Sequence, residues 1–156
     1  MNNTIDIDER VQRAVSYFKS GYNCSQSVFM AYADIFELDE KFAARISAPL
    51  GGGMGRLREV CGAVSGSFLL AGLKYPADDP LDRAAKTKNY AVVQELASKF
   101  REKNGSIICR DLLGLQGEVK ESHIPAERTT DYYKRRPCAE YVAVAARIIG
   151  EKLNEE

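Results

Sequence analysis

The chain has no tryptophan, a single histidine, five prolines and as many acidic as basic side chains, 22 of each. Each scarcity removes a class of function. One histidine, His123, cannot supply the paired imidazoles of a helical zinc site, and no helical Glu-x-x-His accompanies it. No Cys-x-x-Cys occurs among the four cysteines, which takes away the zinc-ribbon and ferredoxin signatures by spacing. The balanced charge is spread along the chain. There is thus no basic stripe for nucleic acid or an anionic membrane, and neither is expected as a partner.

Long hydrophobic runs are missing as well. No stretch reaches the roughly 18 apolar residues of a membrane span. The longest uncharged segment, VCGAVSGSFLLAGL from Val60 to Leu73, has the length of a buried core helix. The opening residues, MNNTIDIDER, are acidic where a secretory leader would be basic and then apolar, so the sequence reads as cytoplasmic. In a reducing compartment its cysteines are expected as thiols, metal ligands or redox centres rather than as permanent disulfides.

What is present is helical periodicity. Apolar residues recur at three and four positions and strand-like alternation is scarce. The expected fold is all-α: one domain over residues 1–156, a bundle of about five to seven helices with a polar loop at about 115–136. Asp6 with Glu9 starts a first helix that Gly21 stops, and Asn23 with Gln26 is a capping-box pattern for a second whose stripe reaches Phe36. A short helix from Asp39 presents Phe42 and Ile46. A fourth runs from about Leu57 to Gly72. Asp79-Pro80 opens the longest, with Leu81, Ala84, Val93, Leu96 and Phe100 on its face, and it ends at Asn104-Gly105. Ser106 caps one or two further turns that Gly114 ends, and a last helix opens at Pro137.

The glycine-rich stretch Gly51 to Gly55 invites a nucleotide reading and fails it. A P-loop needs a lysine and a hydroxyl after its last glycine, and neither follows GGGMG. The dinucleotide fingerprint fails too, because Arg56 or Arg58 stands where its last glycine belongs and no strand precedes the loop. No nucleotide cofactor is expected. A sharp turn needing positive φ explains the glycines better than an anion site on backbone amides, although Arg56 and Arg58 lie nearby. Gly62 and Gly66, four apart, share one helix face and allow another backbone to approach beside Cys61.

The cysteines carry the remaining chemistry. Cys24 follows the Asn23 cap, Cys61 lies near the start of the helix leaving the glycine loop, Cys109 sits three residues after Ser106 and Cys138 follows Pro137. Free amides and the positive end of the helix dipole favour a thiolate at such positions. Each cysteine also extends an apolar face by a helical step, so the sulfurs should point inward. Three readings fit: structural thiols in an ordinary core, a shared metal or redox site, or one reactive cysteine.

Cys24 in GYNCSQSV, then GGGMGR, Cys61-Gly62-Ala63-x-x-Gly66, Cys109 in ICRDLLG and Cys138 in RPCAEYV resemble the redox-active family named C_GCAxxG_C_C. The likeness runs from about Ala14 to Ile149. The family is itself similar to the cluster-bearing part of split-Soret cytochromes. This chain has no Cys-x-x-Cys-His, so no haem is inferred, and His123 reads as a solvated loop residue.

The resemblance implies that Cys24, Cys61, Cys109 and Cys138 form the functional set. They would act as ligands of an iron-sulfur cluster, most simply [2Fe-2S], for electron transfer or redox sensing. Alternatively they exchange between dithiol and disulfide, with Cys61 and Cys24 as the catalytic sulfurs. A non-catalytic helical module with structural cysteines or zinc is the third expectation. The redox readings imply a partner protein that no sequence feature names, and a homodimer is compatible with the chain. Tyr22, Tyr32, Tyr132, Tyr133 and Tyr141 are candidates to line a pocket or an interface. Asp78, Asp79, Asp111 and Glu59 read as caps and surface charges.

Overall fold

The computed structural model describes residues 4–115 and 121–155, without the side chains of residues 134 and 135. Helix α1 spans Ile7–Lys19, and the Asp6 side chain accepts from the Glu9 amide at its start. Helix α2, Cys24–Met30, has the complete capping box that Asn23 and Gln26 predict. Its apolar stripe continues as a 3-10 turn, Ala33–Phe36, ended by left-handed Glu37.

Helix α3, Glu40–Ser47, is capped by Asp39 as expected, but the face it buries differs. Ala43 and Ser47 point inward, whereas Phe42 is 51% exposed. Helix α3 turns its small residues toward α2, and Gln26 Nε2 of α2 donates to the Ala44 carbonyl at 3.0 Å.

A left-handed turn separates α3 from the next helix. Gly52, Gly53, Met54, Gly55 and Arg56 all have φ between 58° and 69°, so the glycine stretch is the positive-φ turn its composition predicts. Helix α4 then spans Gly62–Lys74, starting later than the expected Leu57 and continuing through Gly72. Its start is delayed because Arg58 is also left-handed and residues 59–61 pair in extended form with residues 107–109. Cys61 N donates to Ile107 O at 2.8 Å and Cys109 N to Glu59 O at 2.6 Å.

Helix α5, Arg83–Asn104, also starts later than Asp79-Pro80 suggests. Asp79 instead closes a tight turn onto the Leu81 amide, and Asp82 caps the helix. Leu81 is consequently 90% exposed. Ala84 is exposed too, while Val92, Leu96, Ala97 and Phe100 face the core. Gly105, at φ 87°, terminates the helix as predicted.

The single helical turn α6, Cys109–Leu112, has Ile108 rather than Ser106 at its cap, and Gly114 ends it. Ser106 Oγ accepts from Ile108 N and donates to Asp111. Within the predicted polar loop, residues 116–120 lie outside the described residues, and the later part contains a short helix, α7, Thr130–Arg135. Thr129 caps α7 by accepting from the Tyr132 amide. Helix α8, Cys138–Leu153, follows Pro137.

The architecture is helical, as the periodicity predicts, with eight helices among the described residues. Helix α1 packs along α8 and α2 along α4, with α5 laid against α4 and α8. One cluster containing Phe18, Val28, Tyr32, Leu70, Leu96, Phe100 and Ile149 forms the core. Tyr32 belongs there, its hydroxyl donating to the Ala146 carbonyl at 2.6 Å. Among the described residues no helix is long and apolar enough to cross a membrane.

Candidate functional site

Three glycines set how near the cysteine-bearing segments can come. A Cβ on Gly66 would stand 2.7 Å from the Ser25 carbonyl oxygen, and one on Gly62 would stand 3.3 Å from Cys24 Cβ. Helices α2 and α4 therefore meet backbone to backbone, which brings Cys24, the first residue of α2, beside Cys61, the residue before α4. A Cβ on Gly53 would lie 2.7 Å from Cys109 Cβ, so the left-handed turn closes against the start of α6 in the same way. The extended pairing of residues 59–61 with 107–109 then fixes Cys61 relative to Cys109. Cys138 enters as the first residue of α8.

All four cysteines line one cavity of about 60 Å³, together with Phe18, Leu112, Tyr132 and Tyr141. All four are free thiols. Cys61 and Cys109 are buried, at 5% and 8% exposure, while Cys24 and Cys138 are partly exposed. Every cysteine sits at or one residue before the first helical position of its segment, where free amides favour negative charge, although at the Cys109 turn the first two amides are taken by the Glu59 and Arg58 carbonyls.

Burial opposes that preference to different degrees. It pushes the Cys61 thiol up to about 12, although the amides of Ala63 and Val64 at the start of α4 pull the other way. Cys109 is also raised by burial, and the Arg58 guanidinium, with Nη1 3.6 Å from Sγ, offsets part of the effect. Cys24 and Cys138 act as a pair in which Cys24 keeps the proton. Its hydrogen bond lowers Cys138 against the cost of burial, and Arg136, Arg58 and Arg128 add to the lowering.

The same three arginines line the cavity. Arg128 is fixed by donating to Phe18 O at 2.8 Å and Tyr22 O at 2.9 Å, and its guanidinium lies 4.3 Å from the Phe18 ring centroid. Arg136 stacks on Tyr132. Four thiols are a neutral set, but losing their protons in an apolar cavity demands compensating charge, and these guanidiniums supply it. Sequence patterns did not single out Arg128 or Arg136. The available signal was proximity in the chain for Arg58 and Arg136, two or three residues before a cysteine; Arg128 had none.

The donor chemistry is that of soft thiolate ligation, which suits zinc, copper(I) or iron-sulfur groups. A single tetrahedral ion with metal-sulfur bonds of about 2.3 Å needs donors converging to roughly 4 Å of one another. Among the described residues no three His, Cys, Asp or Glu side chains converge in that way. The four cysteines line the wall of one shared cavity. Its volume exceeds the roughly 10–15 Å³ that one water requires. His123 stands away from the sulfurs, exposed at the rim of a neighbouring cavity.

Of the tyrosines named from the sequence, Tyr132 and Tyr141 reach the cavity wall. Asp79 and Glu59 are a turn closure and a surface ion pair with Arg110.

Fold and site together define an all-helical protein with a four-cysteine pocket. The chain belongs to the family described as "Putative redox-active protein (C_GCAxxG_C_C)", whose sequence profile matches residues 22–152. Searches of curated proteins and of solved structures returned no match.

Proposed function

We propose that the protein is an electron-transfer or redox-sensing component in which Cys24, Cys61, Cys109 and Cys138 are the ligands of an iron-sulfur cluster, most simply [2Fe-2S]. One observation carries this reading: four cysteines scattered along the chain line a single cavity whose wall also holds three arginines. Such a cluster gains and loses one electron at a potential set by burial, net charge and hydrogen bonds to sulfur. Here the Ala63 and Val64 amides and Arg58 are the groups that would tune it.

The deciding experiment is iron and sulfide analysis of protein made and kept without oxygen, with visible absorption and electron paramagnetic resonance of the reduced form. Two irons and two sulfides per chain with a reducible chromophore are expected. Colourless protein free of iron, or protein holding only zinc, overturns the reading.

The adjacency of Cys24 and Cys138 favours a second reading, dithiol-disulfide exchange. The Cys138 thiolate would attack one sulfur of an oxidised partner's disulfide and expel the other as thiolate. Cys24, losing its proton to solvent, would then attack Cys138 Sγ and release the second thiolate. The partner gains two electrons and this chain gains one disulfide. Cys61, buried and raised, is poorly placed to start that sequence beside Cys24. Reversible loss of two titratable thiols with oxidant, in iron-free protein, is the result this reading requires.

A further inference from the structure

Beside the cysteine cavity lies a second, larger one of about 240 Å³, lined by Arg56, Arg58, Arg128 and Arg136. Arg58, Arg128 and Arg136 belong to both walls, as do Asn23, Gly52 and Tyr132. Four guanidiniums on one small cavity repel one another unless something anionic lies between them. Among the described residues a single carboxylate does so: Glu121 Oε2 accepts from Arg56 Nη2 at 2.6 Å and from Arg58 Nη2 at 2.7 Å.

We infer that this cavity is a binding site for a small ligand bearing a carboxylate or phosphate group, delivered next to the cysteines. Two observations point to an oxyanion. Glu121 shows, as an internal stand-in, that Arg56 and Arg58 are spaced to share an oxygen anion between them. Arg58 is 5% exposed, lines the cavity, and its Nε has no hydrogen-bond partner among the described residues. That donor is enclosed, with Nη1 on Cys109 Sγ and Nη2 on Glu121 Oε2, so an incoming anion would meet Arg58 by taking the place of Glu121.

Backbone conformation fixes where the two arginines stand. Arg56 and Arg58 both sit at left-handed φ, 68° and 60°, which side chains other than glycine rarely adopt. Met54 in the same turn is left-handed at 69° and lines neither cavity, so the conformation belongs to the turn and does not by itself mark a ligand. Compensation of the sulfurs does not explain the whole cluster, because Arg56 lines only the second cavity. The inference is independent of what the cysteines hold.

The test is isothermal titration calorimetry of the full chain, prepared without oxygen, with inorganic phosphate and with malonate at constant ionic strength. Saturable binding of either anion at one site, with a Kd near or below about 1 mM, is expected. Tighter phosphate assigns a phosphate-bearing ligand and tighter malonate a carboxylate. Arg56→Gln, whose fold is checked by circular dichroism, should weaken binding by about tenfold or more. Glu121→Gln removes the internal competitor and should tighten binding severalfold, so the inference stays testable where Arg56→Gln fails to fold. No saturable heat from either anion overturns it, as does unchanged affinity in both variants. Heat of anion binding is read without reference to iron, so failure here leaves the cluster test standing, and the converse holds.

Discussion

At the scale of single residues, the four sulfurs are not equivalent. Cys61 and Cys109 are enclosed, and the other two form a proton-sharing pair, yet as ligands of one cluster all four would be required. Each Cys→Ser variant should therefore lower cluster retention by at least about tenfold, measured as bound iron after competition with a chelator. A structural role alone would lower stability and leave no iron signal to lose. Arg58 touches Cys109 through its guanidinium without being a ligand. Arg58→Gln should keep the fold and weaken retention by about 10- to 100-fold, the range for groups that support a ligand from behind. These partners were hard to read from the sequence, since an arginine near a cysteine in the chain is common and only the fold turns it toward the sulfur.

Helices and turns place those residues, and here sequence and structure agree best where a local rule operates. Asp6, Asn23 and Asp39 cap helices where their side chains and the following residues say they should. Asn23→Ala should cost about 1 kcal/mol in urea unfolding, because it removes the side-chain half of the capping box, in which Asn23 Oδ1 accepts from the Gln26 amide, and the 2.9 Å bond to Ala48 O. Disagreement arises where a long-range partner intervenes. The start of α4 moves past Leu57 because residues 59–61 take up backbone bonds with 107–109, separated from them by the whole of α4 and α5.

Two glycines in one helix separate the local from the tertiary effect. Gly66→Ala forces a methyl against the Ser25 carbonyl and should destabilise by about 1–3 kcal/mol while disturbing the Cys24–Cys61 neighbourhood. A methyl on Gly72 would meet nothing within 4 Å, so Gly72→Ala should stabilise by about 0.5–1 kcal/mol. Equal unfolding midpoints for the two variants would contradict the close approach of α2 and α4.

The molecule as a whole is held by one apolar core and by ion pairs between distant segments. Asp34 is held below the ordinary carboxylate range by its hydrogen bonds to Arg10. Glu121 is lowered by Arg58, and Glu95, against the raising effect of burial, by Lys152. A carboxylate lowered on folding contributes its full stability above its unfolded value and loses it as pH falls through the folded one. Thermal unfolding should therefore be nearly flat from neutral pH down to about 5 and fall below about 4 as these groups protonate. Asp34 is well exposed, so Asp34→Asn should remove no more than about 1 kcal/mol at neutral pH and should flatten the acid limb. A variant that tracks the parent at every pH would show that the Arg10 pair contributes nothing.

The sequence by itself determined the helical class, the helix ends set by a local cap or glycine stop, and the identity of the four cysteines, because periodicity, caps and glycine stops act within a few residues. Tertiary structure alone decided that the four sulfurs share one cavity, which face α3 buries, and that four arginines gather beside the site. Those outcomes depend on contacts between segments tens of residues apart. Short-range patterning constrains which way a side chain faces on its own helix, and packing decides what it meets there.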